Sequence, residues 1–107
     1  MQFRVTELPP YKQAPANGSE RDNQRLRSEA LRKEARKAFL ALITQQNVRL
    51  TIRYFRKKGR SDAANIVGGV ADALNGIAYN DDRQITEIYY QEKKGHIDEY
   101  QVLVEPI

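Results

Sequence analysis

The sequence predicts a small α+β domain, with a mixed sheet of about four to five strands packed against two helices. Three observations carry this expectation. Residues 48–57 alternate, with Val48, Leu50, Ile52 and Tyr54 on one face and Arg49, Thr51 and Arg53 on the other, as in a half-buried strand. Leu31, Ala35, Ala38 and Leu42, widened by Leu26, Phe39 and Ile43, recur at helical spacing. A chain of 107 residues suits one domain over 1–107, with a single core.

The elements follow in order. Phe3 and Val5 alternate with polar neighbours over 2–8, a short strand that Pro9-Pro10 ends because proline has no N–H for a ladder. Residues 9–19, with Pro15 and Asn17-Gly18, read as a flexible loop. Ser19 or Asp22 is expected to cap a long helix running to about Thr44, with Glu29 and Lys33 as an i,i+4 pair. After the strand at 48–57 comes the basic turn Arg56-Lys57-Lys58-Gly59-Arg60. A second helix over 62–75 places Ile66, Val67, Val70 and Leu74 on its apolar side, with Asn65 and Asp72 opposite. Gly68 and Gly69 interrupt that polar face. Each costs about 1 kcal/mol relative to alanine in a helix, which close approach of another backbone, a partner helix or a phosphate would justify. Asn75-Gly76 ends the helix. Residues 84–92 and 97–105 read as strands joined by a hairpin at Lys93-Lys94-Gly95-His96. Tyr54, Tyr79, Tyr89, Tyr90 and Tyr100 are expected mostly in the core or on the sheet.

Composition removes whole classes of chemistry. Without cysteine there is no disulfide, thiolate metal site or thiol nucleophile, and a single histidine, His96, rules out a multi-histidine zinc site. No apolar run reaches the roughly 20 residues of a membrane span, so a soluble, cytoplasmic protein with no membrane partner is expected. The net charge of +4 conceals a division. Residues 1–61 hold 15 Lys+Arg against 5 Asp+Glu, whereas 62–107 hold 3 against 9. A basic half joined to an acidic half suits a polyanion surface beside a site that uses carboxylates.

The acids to weigh are Asp62, Asp72, Asp81 and Asp82. Asp62 opens a helix, where a carboxylate caps free N–H groups. Asp81-Asp82 sit in a turn, and adjacent carboxylates held close need a cation nearby. Oxygen-only carboxylate sites suit Mg²⁺ or Mn²⁺, which activate water and neutralise charge on phosphoryl oxygens. With a basic phosphate-binding surface, such a site makes a nuclease.

The segments Asp62-Ala63-Ala64-Asn65, Asp72-Ala73-Leu74-Asn75-Gly76 and Asp81-Asp82-Arg83-Gln84-Ile85, in this order, resemble the RusA family of Holliday-junction resolvases. So does the succession of a strand, a Pro-Pro-x-x-Lys-Gln-like loop, a long helix, a strand, an acidic helix and two closing strands. The resemblance implies a homodimeric, Mg²⁺-dependent endonuclease that binds four-way DNA junctions and makes paired symmetric cuts, without a small-molecule cofactor. It implies Asp62 and Asp82 as catalytic acids and metal ligands, with Asp81 and Asp72 as further ligands and Asn65 in support. Phosphate contacts are expected from Lys12, Arg53, Arg56, Lys57, Lys58, Arg60 and Arg83. Two positions depart from the family pattern. Ala64 stands where it has a second aspartate, and Gly68 where it has a basic residue. The first removes a charge and two oxygen ligands; the second removes a cation that would sit on the scissile phosphate. Either Asp81, Asp72 or Asn65 and Arg83 or Arg60 fill these roles, or the chain is a degenerate member that holds junctions without cutting them.

Overall fold

The computed structural model describes all 107 residues. Four strands and two helices form the α+β domain: β1 (Gln2–Val5), α1 (Gly18–Ala38), β2 (Val48–Arg56), α2 (Ala63–Ala73), β3 (Ile85–Lys94) and β4 (Glu99–Pro106), with a 3-10 turn at Asp82–Gln84 before β3. The sheet order is β1-β4-β2-β3, so the strand nearest the middle of the sequence lies in the middle of the sheet. β2 runs parallel to β3 and antiparallel to β4, and β1 is antiparallel to β4.

Alternation along β2 sends Val48, Leu50, Ile52 and Tyr54 into the core, where they meet Val102, Val104 and Tyr100 of β4. Leu31 and Ala35 of α1, Ile66 and Val70 of α2 and its C-cap Leu74 close the other side. Complete burial of each large apolar side chain stabilises by about 1.5–3 kcal/mol, so the helices are held chiefly by this contact. Both helices therefore cover one face of the sheet, and the face bearing Arg53 and Gln101 stays open to solvent. No helix is long and apolar enough to cross a membrane.

Four expectations need correction. α1 is capped by the Asn17 side chain, which accepts from Glu20 N at 2.8 Å, rather than by Ser19 or Asp22. It also stops at Ala38 rather than near Thr44. Phe39 turns out of the helix to meet Phe3 edge-on at 6.0 Å, and Ile43 bridges to Tyr79, so tertiary contacts claim the residues that continue the helical pattern. Glu29 and Lys33 form no ion pair; Lys37 and Glu34 do, at 3.3 Å. The fourth correction is topological. β3 and β4 do not pair as a hairpin, because β2 lies between them. Residues 95–98 pass over the end of β2, where Gly95 N donates to Arg56 O at 2.9 Å.

Candidate functional site

The site grows from the two ends of α2. At its start Asp62 is the N-cap, its Oδ1 accepting from Asn65 N at 2.8 Å and Oδ2 from Asn65 Nδ2 at 3.5 Å. Both residues remain accessible, and the Asp62 carboxylate meets the positive end of the helix dipole. Ala64 lies exposed in the first turn. At the far end Asp72 is half exposed and pairs with Lys12 Nζ at 3.3 Å. Ten residues of helix separate Asp62 from Asp72, a rise of about 15 Å, so the two cannot share one ion.

The acidic turn is fixed by Gln84. Its Oε1 accepts from Asn80 N at 2.9 Å and Asp81 N at 3.1 Å, and its Nε2 donates to Ile43 O and Gln46 O, each at 2.9 Å. Asn80 Nδ2 adds a bond to Thr44 O at 3.0 Å. Asp81 is spent on the turn itself. It caps the 3-10 segment through Arg83 N at 2.8 Å and pairs with the Arg83 guanidinium at 3.2 Å. The Arg83 backbone N–H and guanidinium lower its pKa. Asp82 enters no ion pair, which leaves the second acid of the pair as the available one.

Tyr79 lies in the field of both Asp72 and Asp82. Its buried hydroxyl donates to Ala71 O at 2.7 Å. Burial, then the charges of Asp82 and Asp72, push its pKa up. It therefore stays a neutral phenol that ties the acidic turn to the last turn of α2. Arg32 of α1 donates to Ala73 O at 3.2 Å, placing a cation at the negative end of the same helix. The expected acids are thus divided, with Asp62 at one end of α2 and Asp72, Tyr79 and Asp82 at the other. No three Asp, Glu or His side chains converge where a metal ion could sit.

The segment after β1 is anchored to α2. Pro9 and Pro10 are buried, and Lys12 N donates to Asn65 O at 2.8 Å. An added Cβ at Gly69 would stand 2.5 Å from Tyr11 N and 2.6 Å from Pro10 C, so the glycine serves the close backbone approach that its place in a helix calls for. Tyr11 is covered by the Arg27 guanidinium at 5.1 Å and donates to Glu20 at 3.3 Å.

The expected phosphate-binding residues fall into separate groups. Lys57, Lys58 and Arg60 are exposed on the turn after β2. Asp98 holds that turn, accepting from Lys57 N, Lys58 N and Gly59 N at 3.0–3.1 Å and from the Tyr54 hydroxyl at 2.6 Å. Burial alone would raise the Asp98 pKa, but these donors outweigh it and bring it to about 2. Arg56 is committed internally to Glu92 at 2.7 and 2.9 Å, Gly59 O at 2.7 Å and Ser61 O at 2.8 Å. Arg53 is exposed on the open sheet face, which it shares with Arg49, itself paired with Glu87 and Glu105, and Arg83 stands beside the acidic turn. Lys58 and Arg60 share a groove with Tyr11 and Arg27 that reaches Ser61, next to Asp62. Arg27 belongs to this basic groove although in the sequence it is one of many cations on α1. Its only distinguishing signal would be the aromatic at Tyr11, sixteen positions earlier.

The chain matches the model of the endodeoxyribonuclease RusA family over residues 11–105, nearly its whole length. No curated protein matches it. The matched span takes in the Lys12 segment, both ends of α2 and the Gln84-held turn, and on this evidence the chain belongs to the RusA family of endodeoxyribonucleases.

Proposed function

We propose that this chain is a structure-selective endonuclease that binds four-way DNA junctions as a homodimer and hydrolyses phosphodiester bonds with the aid of Mg²⁺ or Mn²⁺. The family match over residues 11–105 carries this reading, since membership implies Holliday-junction resolution. Carboxylate oxygens are the right donors for a hard cation, and Mg²⁺ is commonly held by one or two carboxylates with substrate phosphates completing its shell. Asp72 and Asp82, whose charges both reach Tyr79, would hold it with the DNA. A cation bound there supplies activated water and neutralises charge on the phosphoryl oxygens. The chain's own part is positional. Gln84 fixes the Asp82 turn, Tyr79 joins that turn to α2, and Lys57, Lys58 and Arg60 receive phosphates as shape-dependent contacts. A two-fold dimer would set two such sites on the two strands to be cut. The free edge of β3, where Ile88 and Tyr89 are 51% and 55% exposed, offers a surface for a second copy.

A second reading, binding without cutting, is favoured by Ala64, by the capping role of Asp62 and by the lack of a three-acid cluster. Nicking of an end-labelled four-way junction with Mg²⁺ or Mn²⁺ decides between them. Metal-dependent paired cuts, reduced at least about 10²-fold by Asp82→Asn, support the endonuclease. Tight binding with no cutting, converted to cutting by Ala64→Asp, overturns it in favour of the binding protein.

A further inference from the structure

The gap at Gly68 is filled by a lysine from elsewhere in the chain. A Cβ added at Gly68 would stand 3.1, 3.3 and 3.8 Å from Lys12 Cβ, Cδ and Cγ, so the stem of Lys12 runs where a side chain rooted on the helix would begin. Its backbone is anchored one helical turn earlier, through Lys12 N to Asn65 O at 2.8 Å. Its amine ends 3.3 Å from Asp72 Oδ2. Residues 68 and 72 are themselves neighbours, four apart on one helix face. Lys12 therefore approaches Asp72 along the track that a residue at position 68 would take.

Exposure decides what this contact is for. The Lys12 side chain is 66% exposed and that of Asp72 44%, and a pair so open to water contributes little to stability. The same openness lets the amine exchange its carboxylate partner for an arriving phosphate without a large penalty. Of the other cations near the acids, Arg83 is paired with Asp81 and rooted on the acidic turn, and Arg32 donates to Ala73 O at 3.2 Å.

We propose that Lys12 is the phosphate-neutralising residue of the acidic end of α2, admitted by the missing side chain of Gly68, and that a lysine rooted at position 68 could replace it. The proposal rests on the endonuclease reading for its effect on cutting, but not for its effect on binding.

The test uses the full-length protein and a labelled four-way junction, with three forms compared: wild type, Lys12→Met, and the exchange variant Lys12→Gly with Gly68→Lys. Thermal unfolding confirms that each is folded. In Mg²⁺ at saturating junction, Lys12→Met is expected to cut about 10²-fold more slowly, and the exchange variant to recover most of that loss. In EDTA, the slope of log affinity against log salt for Lys12→Met is expected to fall by about one, the signature of one lost phosphate contact. A purely structural lysine would leave that slope unchanged. Lys12→Met matching wild type in both assays overturns the proposal. So does a folded exchange variant no better than Lys12→Met. If wild type binds but does not cut, the endonuclease reading fails, and the salt slope alone then decides for or against Lys12. If the exchange variant does not fold, Lys12→Met decides.

Discussion

Asp98 and the acids of α2 show two opposite uses of the same side chain. Asp98 is nearly buried, 9% exposed, and one of its oxygens alone gathers the Tyr54 hydroxyl and the N–H groups of Lys57 and Gly59. Asp72 and Asp82 are more open, with one salt bridge between them, to Lys12. A carboxylate whose acceptor capacity is filled by its own chain organises structure and has little left for a ligand. One with few partners adds little to folding but retains capacity for a cation or a phosphate-bound water. The contrast teaches that charge near a basic surface must be sorted by saturation before it is assigned to chemistry.

The sharpest way to break this contrast is to remove the saturated member. Asp98→Ala leaves three backbone N–H groups and the Tyr54 hydroxyl without their acceptor, and is expected to lower unfolding free energy by about 3 kcal/mol in urea titration. If Asp98 mattered as little as an exposed acid, the transition midpoint would not move.

Acid titration sharpens the same contrast more gently. The Asp98 carboxyl is held at about 2 in the folded chain against its ordinary 3.8. As pH falls, the unfolded chain takes up this proton first. The stabilisation is therefore complete above about pH 4 and lost as pH falls through 2, amounting to about 2 kcal/mol. Unfolding curves of wild type and Asp98→Asn should converge over this window; parallel curves would show that the carboxylate charge has no such part.

The smallest expected effect has the opposite sign. The Tyr100 hydroxyl is buried with no hydrogen-bond partner, while those of Tyr54 and Tyr79 have one. Tyr100→Phe removes an uncompensated polar group and is expected to stabilise by up to about 1 kcal/mol, whereas Tyr79→Phe should destabilise. A loss of stability in Tyr100→Phe would show that the hydroxyl is satisfied after all.

Local pattern made some of this legible in the sequence. The alternation of β2, the apolar stripe of α2 and the Asp62 cap depend on neighbours in the chain, and the structure has them as expected. What could not be read depends on distant partners. No Gly or Pro lies between Phe39 and Asn47 to stop α1; Phe3 and Tyr79 stop it from outside. Arg56 reads as one more surface cation until Glu92, thirty-six residues on, occupies it. Asp98 shows no motif because every group it binds lies about forty residues earlier. For the same reason Lys12 and Asp72 are unremarkable apart and informative together.

The position of β4 has a consequence for how the protein is made. This strand is inserted between β1 and β2, so β1 has no sheet partner, and β2 has an open side, until residues 99–106 have left the ribosome. The sheet cannot close during synthesis of the earlier segments. Its apolar face, Val5 through Tyr54, stays incomplete until β4 arrives, and folding is expected to be comparatively slow, governed by long-range pairing.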